Sequence, residues 1–76
     1  MSYENPRPAK LLVPLQSKTV GKDEFKMHRA GRKVTVQRSP AEAGIYLVWF
    51  AKNQYAKVEA MKLIETIEYT DGRPKY

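Results

Sequence analysis

Hydrophobic residues are most concentrated in Ser39–Tyr55, SPAEAGIYLVWFAKNQY, which contains the only tryptophan. As a strand, Ile45–Phe50 would be apolar on both faces and would need a covering layer on each, which so short a chain is poorly able to supply. The residues before it favour a helix. Ser39, Pro40 and Glu42 form a capping-box pattern, in which the serine hydroxyl accepts an orphan helix N–H and the glutamate reaches back. Proline suits the first helical position. The pattern therefore predicts a helix from Pro40 to Asn53, with Gly44 weakening it by up to about 1 kcal/mol. At 100° per residue, Ala43, Leu47, Val48, Phe50 and Ala51 share one face, with Tyr46 and Tyr55 at its margins. Ile45 and Trp49, four apart, fall among Glu42, Lys52 and Asn53. Either another segment covers these two, or they form an exposed anchor for a partner.

Glu24–Arg38, EFKMHRAGRKVTVQR, alternates with a period of two on both sides of Ala30-Gly31. That is the pattern of a β-hairpin. It places Phe25, Met27, Val34 and Val36 inward and His28 outward. Leu11–Leu15, LLVPL, carries Pro14 and predicts an edge strand or a strap over the core. QSKTVGK after it reads as a loop, and Met1–Lys10, with two prolines, as a flexible segment before a single domain at 11–76. Ala56–Tyr76 is ambiguous. Met61, Leu63, Ile67 and Tyr69 suit one face of a strand from Val58 to Thr70, whereas Ala56, Ala60, Leu63, Ile64 and Ile67 make an amphipathic helical stripe. The strand is favoured because it enlarges the sheet under the first helix. Asp71-Gly72 reads as a turn, after which RPKY adds a short pairing. The expected fold is α+β: a small ββαβ domain with an antiparallel or mixed sheet and one helix across it.

Seventy-six residues make one small domain that buries about 60% of its unfolded surface. There is no cysteine and only one histidine, so neither a disulfide nor a metal site is expected. MSYENPRPAK lacks the apolar core of a signal peptide, and no apolar run approaches the roughly 20 residues of a membrane helix. An intracellular, metal-free monomer with no membrane contact and no cofactor is expected. Charge sharpens this picture. Residues 1–38 hold nine Lys/Arg against three Asp/Glu, and residues 39–76 hold five of each, so the whole net charge of +6 lies in the first half. A basic half suits an acidic partner, either nucleic acid or an acidic protein surface.

Catalytic patterns are missing: no G-x-S-x-G, P-loop, H-E-x-x-H or EF-hand loop occurs. His28 sits among cations and reads as a surface residue, and Glu59, Glu65, Glu68 and Asp71 read as a solvated acidic patch. The protein is expected not to be an enzyme. The basic residues carry more content. Lys26, Arg29, Arg32, Lys33 and Arg38 crowd the hairpin, and Lys10, Lys18 and Lys22 precede it. A two-stranded ribbon can enter a DNA groove. Aromatic residues are poorly interleaved with these cations, as a single-strand binder would require.

The order strand, S-x-x-E-A helix start, strand across KVTVQRSPAEAGIYLVWFAKNQYAKVEAMKLIETIEYTDG, residues 33–72, resembles that of small phage-encoded host-takeover proteins, including inhibitors of bacterial RNA polymerase and some anti-CRISPR proteins. The resemblance implies a non-enzymatic regulator in the bacterial cytoplasm that docks on a host complex, RNA polymerase first, and inhibits transcription by steric competition. The expected contacts are Lys10, Lys26, Arg29, Arg32, Lys33, Arg38, Ile45 and Trp49. The alternative is a DNA- or RNA-binding module that uses the basic hairpin.

Overall fold

The computed structural model describes residues 6–70. Its elements are β1 (Arg7–Leu11), β2 (Leu15–Thr19), β3 (Phe25–His28), β4 (Lys33–Arg38), β5 (Ile45–Ala51), β6 (Gln54–Glu59), α1 (Ala60–Thr66) and β7 (Ile67–Tyr69). The strands form one sheet in the order β3-β2-β6-β5-β4-β1-β7, antiparallel throughout. The sheet curls into a half-barrel. His28 of β3 stacks on Phe50 of β5 with ring centroids 4.0 Å apart, although β2 and β6 separate these strands in the sheet. The turn after β3 spans the open side. There the Gly31 N–H donates to the Leu11 carbonyl at 2.7 Å, and the Leu11 N–H donates to the Arg32 carbonyl at 2.9 Å. Inside lie Ala9, Leu11, Val34, Val36, Val48, Phe50, Ala56 and Val58, with Leu63 and Ile67 closing one end. Alternation along each strand supplies this set.

The fold is thus mostly β, and the ββαβ expectation is corrected. Residues 45–51 form a strand, not part of a helix over 40–53. Their aromatic and β-branched side chains fit a pleated surface, and Gly44, at φ +78°, breaks any helix before the apolar run begins. The objection that such a strand needs two covering layers fails because one layer is enough. Val48 and Phe50 point into the core, while Ile45, Leu47 and Trp49 stay half-buried on the outside. The Ser39 signature marks a real hydrogen-bond pattern. Its Oγ accepts from the N–H groups of Ala41 at 3.3 Å and Glu42 at 3.2 Å. No helix follows, because the Ser39 N–H donates to the Ile45 carbonyl at 2.9 Å and the Glu42 carboxylate takes Lys57 at 2.6 Å. Serine side chains organise turns by the same bonds with which they cap helices.

β3 and β4 are both strands, but they are not a hairpin: β3 pairs with β2, and β4 pairs with β1 and β5. The connection carries no Asn-Gly or Asp-Gly pair of the kind that closes a two-residue hairpin. Gly31, at φ +91°, instead turns the chain across the barrel mouth. The faces of β3 are also the reverse of those expected. Phe25 and Met27 are 59% and 64% exposed, and His28 is buried. QSKT, expected as a loop, belongs to β2, and Leu12–Pro14 is only the link between β1 and β2. Arg7–Lys10, expected to be flexible, lies in β1 between β4 and β7. The expected strand at 58–70 is interrupted by α1, so the amphipathic stripe prevailed over the strand alternation for Ala60–Thr66. The expected Asp71-Gly72 turn and RPKY pairing lie outside the described residues, as do Met1–Asn5. Among the described residues, no helix is long and apolar enough to cross a membrane.

Candidate functional site

Residues directly opposite in an antiparallel ladder share a face. On the outer face the register places Thr35 opposite Trp49, Trp49 opposite Tyr55, Tyr55 opposite Lys18, and Lys18 opposite Phe25. One transverse row therefore crosses β4, β5, β6, β2 and β3, a span of roughly 19 Å at the usual strand spacing. It carries three aromatic rings and a lysine. The Trp49 and Tyr55 rings are 5.3 Å apart and tilted by 39°. Beside Trp49 runs an open groove of about 520 Å³, lined by Thr35, Gln37 and Trp49 together with the cations Lys33 and Lys52.

A second open cleft, of about 640 Å³, lies at the turn that spans the barrel mouth. Lys26, Arg29, Arg32 and Lys33 line it, and Lys33 also lines the groove. Arg32 is held in place by the bond from its Nη2 to the Phe50 carbonyl at 3.2 Å. Among the described residues, none of these four cations has an ion pair.

His28 forms the floor of this cleft. Its Nε2 lies 2.8 Å from the Ser17 Oγ, which donates to the Lys26 carbonyl at 3.3 Å. An Nε2–H tautomer satisfies both bonds. Ser17 and His28 are 1% and 4% exposed, so the pair is packed into the wall and is not presented to a substrate. Burial lowers the His28 pKa from its usual 6.5, and the nearby Arg32 and Lys26 lower it further. The fold therefore favours neutral His28, and the unfolded chain binds the extra proton. The resulting stabilisation is complete above pH 6.5 and is lost as the pH falls from there through the lowered folded value. A series of melting temperatures from pH 7.5 to 4.5 should show an acid-side loss of stability that is smaller in His28→Gln. An identical pH profile in the variant would mean that His28 is not the group responsible.

The structure brings Lys26, Arg29, Arg32 and Lys33 together, as the charge pattern anticipated, but as a cleft rather than a ribbon. Lys10 lies opposite Lys33 and is ion-paired to Glu68 at 3.5 Å. Arg38 is five residues along β4 from Lys33, roughly 17 Å away, and stands apart from the cleft. Ile45 and Trp49 share the outer face of β5, although as alternate strand positions with Leu47 between them rather than as a helical pair. Glu59, Glu65 and Glu68 are distributed over β6, α1 and β7, and Asp71 lies outside the described residues. Sequence reasoning did not identify Phe25, Tyr55, Lys18 or Lys52 as site residues. Tyr55 was not legible either: the two-residue turn Lys52-Asn53 pairs Ala51 with Gln54 and alone would set Tyr55 across from Phe50, and only the irregularity between Trp49 and Ala51 brings it opposite Trp49. Phe25 and Lys18 depend on pairing between β2, β3 and β6, which local alternation does not specify.

No family model, curated protein or solved structure matches this chain. Over residues 33–72, where strand, helix and strand carried the resemblance to phage regulators, the described chain up to Thr70 runs β4, turn, β5, β6, α1, β7.

Proposed function

We propose that this protein is a non-enzymatic binding module for single-stranded nucleic acid. The observation that carries this reading is the outer row in which Trp49 and Tyr55 stand side by side and Lys18 lies between Tyr55 and Phe25 in register. Every base has a π-face, so exposed aromatic rings hold unpaired bases with little regard to sequence, and interspersed cations neutralise the phosphates between them. The interleaving that the linear sequence lacks is made by strand pairing. Lys33 and Lys52 line the groove beside Trp49. A duplex keeps its bases stacked inside and offers these rings nothing to stack on, so single strands are preferred.

The test is a titration of Trp49 fluorescence, the only tryptophan signal, with oligodeoxythymidine, oligouridine and a duplex of equal length. Both single strands should quench it, and the duplex should bind more weakly. Affinity should fall with salt at a log–log slope of about −2, from three lysine contacts at about −0.7 each. If no oligonucleotide quenches Trp49, and a defined protein complex such as RNA polymerase is instead retained from nuclease-treated bacterial extract, the face docks protein. The regulator reading would then replace this one.

A further inference from the structure

We infer that the cleft lined by Lys26, Arg29, Arg32 and Lys33 is a phosphodiester clamp, which takes the backbone of the same strand whose bases stack on Trp49 and Tyr55. This inference rests on the single-strand reading above. Three observations support it. The four cations converge on one concave site and, among the described residues, none is neutralised by a carboxylate. By contrast, Lys10 and Lys57, elsewhere on the sheet, are paired with Glu68 and Glu42. Unpaired like charges held together repel one another, and an incoming anion relieves that repulsion. Next, the Arg32 guanidinium is already oriented. With Nη2 bonded to the Phe50 carbonyl, its remaining N–H donors are available to phosphate oxygens without first being ordered. Finally, the cleft is not isolated. Lys33 lines both it and the groove beside Trp49, so a strand leaving the aromatic rings along β4 meets the clamp next.

The division of labour follows from chemistry. The rings offer stacking surface and no anion-binding cage. The cleft offers charge, but its described lining contains no exposed ring, since the only aromatic residue in it, His28, is buried. A short oligonucleotide should occupy the rings alone, and a longer one should reach both. His28 reports on the second event. A phosphate placed among Lys26, Arg29 and Arg32 offsets the cations that disfavour its protonation, so its ring resonances shift and its titration moves upward.

The experiment compares wild type with Lys26→Gln/Arg29→Gln, two exposed positions whose replacement leaves the core and the Arg32–Phe50 bond intact. Oligodeoxythymidines of 3 to 12 nucleotides are titrated by Trp49 quenching, and the His28 ring protons are followed by NMR. Wild type should gain affinity in a step as length increases, and His28 should shift only beyond that step. The variant should bind the shortest oligomers as wild type does, lose roughly tenfold on the longest, and lose about 1.4 from the salt slope. If Trp49 is quenched at every length but the variant matches wild type and His28 does not move, the clamp is wrong and the stacking surface stands. If His28 shifts with oligonucleotide while Trp49 is never quenched, the cleft binds backbone without the rings, and both the stacking surface and the shared-strand clamp are overturned. If neither responds, both are overturned. Inorganic phosphate serves as the control: a His28 shift that saturates equally with free phosphate and shows no length dependence assigns the cleft to small anions and overturns the backbone clamp.

Discussion

Trp49→Ala should weaken binding of a fluorescein-labelled oligodeoxythymidine by roughly 5- to 150-fold, the equivalent of about 1–3 kcal/mol for one lost base–aromatic contact. The protein should remain folded. Trp49 is half-buried on the outer face of β5, and its ring partner is Tyr55. Loss of that pair costs about 0.5–1.5 kcal/mol. The neighbouring residue provides the contrast. Val48 is fully buried against Val36 and Ala56, so Val48→Ala should cost roughly 2 kcal/mol of stability with no loss of affinity in the molecules that remain folded. Successive positions in one strand thus separate function from folding. Binding is read by fluorescence anisotropy, stability by urea denaturation. If Trp49→Ala unfolds the chain and Val48→Ala is mild, β5 faces the other way and the aromatic row does not exist. If both variants fold and bind like wild type, the row is not the binding surface.

The same alternation shows why the sequence was only partly legible. β4 could be read directly, since Val34 and Val36 alternate with Lys33, Thr35 and Gln37. β5 could not. Its outer positions, Ile45, Leu47 and Trp49, are as apolar as its inner ones, so the period-two signal disappears where the surface is hydrophobic. That loss is itself informative, because a strand apolar on both faces in a one-layer half-barrel leaves rings outside. Ser39 misled because it forms cap-type hydrogen bonds without a helix. The cationic cluster could be read because Lys26 to Lys33 are close in sequence. The stacking row could not, because its members come from four strands, β5, β6, β2 and β3, whose pairing is settled by curl and register rather than by any local pattern. His28 was placed outside because alternation put the apolar Phe25 and Met27 inward and left it on the face of Lys26. Its buried position instead follows from Ser17 and Phe50, contributed by two other strands.

Ile67→Ala should remove a large share of the stability of the whole molecule. Ile67 is fully buried, pairs with Leu11 across β1, and ends α1 through its N–H to the Leu63 carbonyl. Truncating such a residue to alanine costs about 2–5 kcal/mol, out of a total of about 4–11 kcal/mol for a chain of this length. Met61→Ala should be nearly neutral, since Met61 is 80% exposed and surface changes of this kind stay within about 0.5 kcal/mol. This comparison distinguishes the two ways of reading residues 58–70. In a single strand, Met61 and Ile67 lie on one face and would cost alike; with Met61 on the exposed side of α1 and Ile67 at its end, only Ile67 reaches the core. Equal costs in urea denaturation would rule out α1. The pair also tests how folding and binding are connected. Ile67 lies inside the half-barrel against β1, whereas the binding row runs over the outside of β4, β5, β6, β2 and β3. The intrinsic affinity of folded Ile67→Ala should therefore equal that of wild type, with apparent affinity lowered only by the fraction unfolded. That deficit should shrink on cooling toward the temperature of maximum stability, whereas the deficit of Trp49→Ala should persist at every temperature at which the protein is folded.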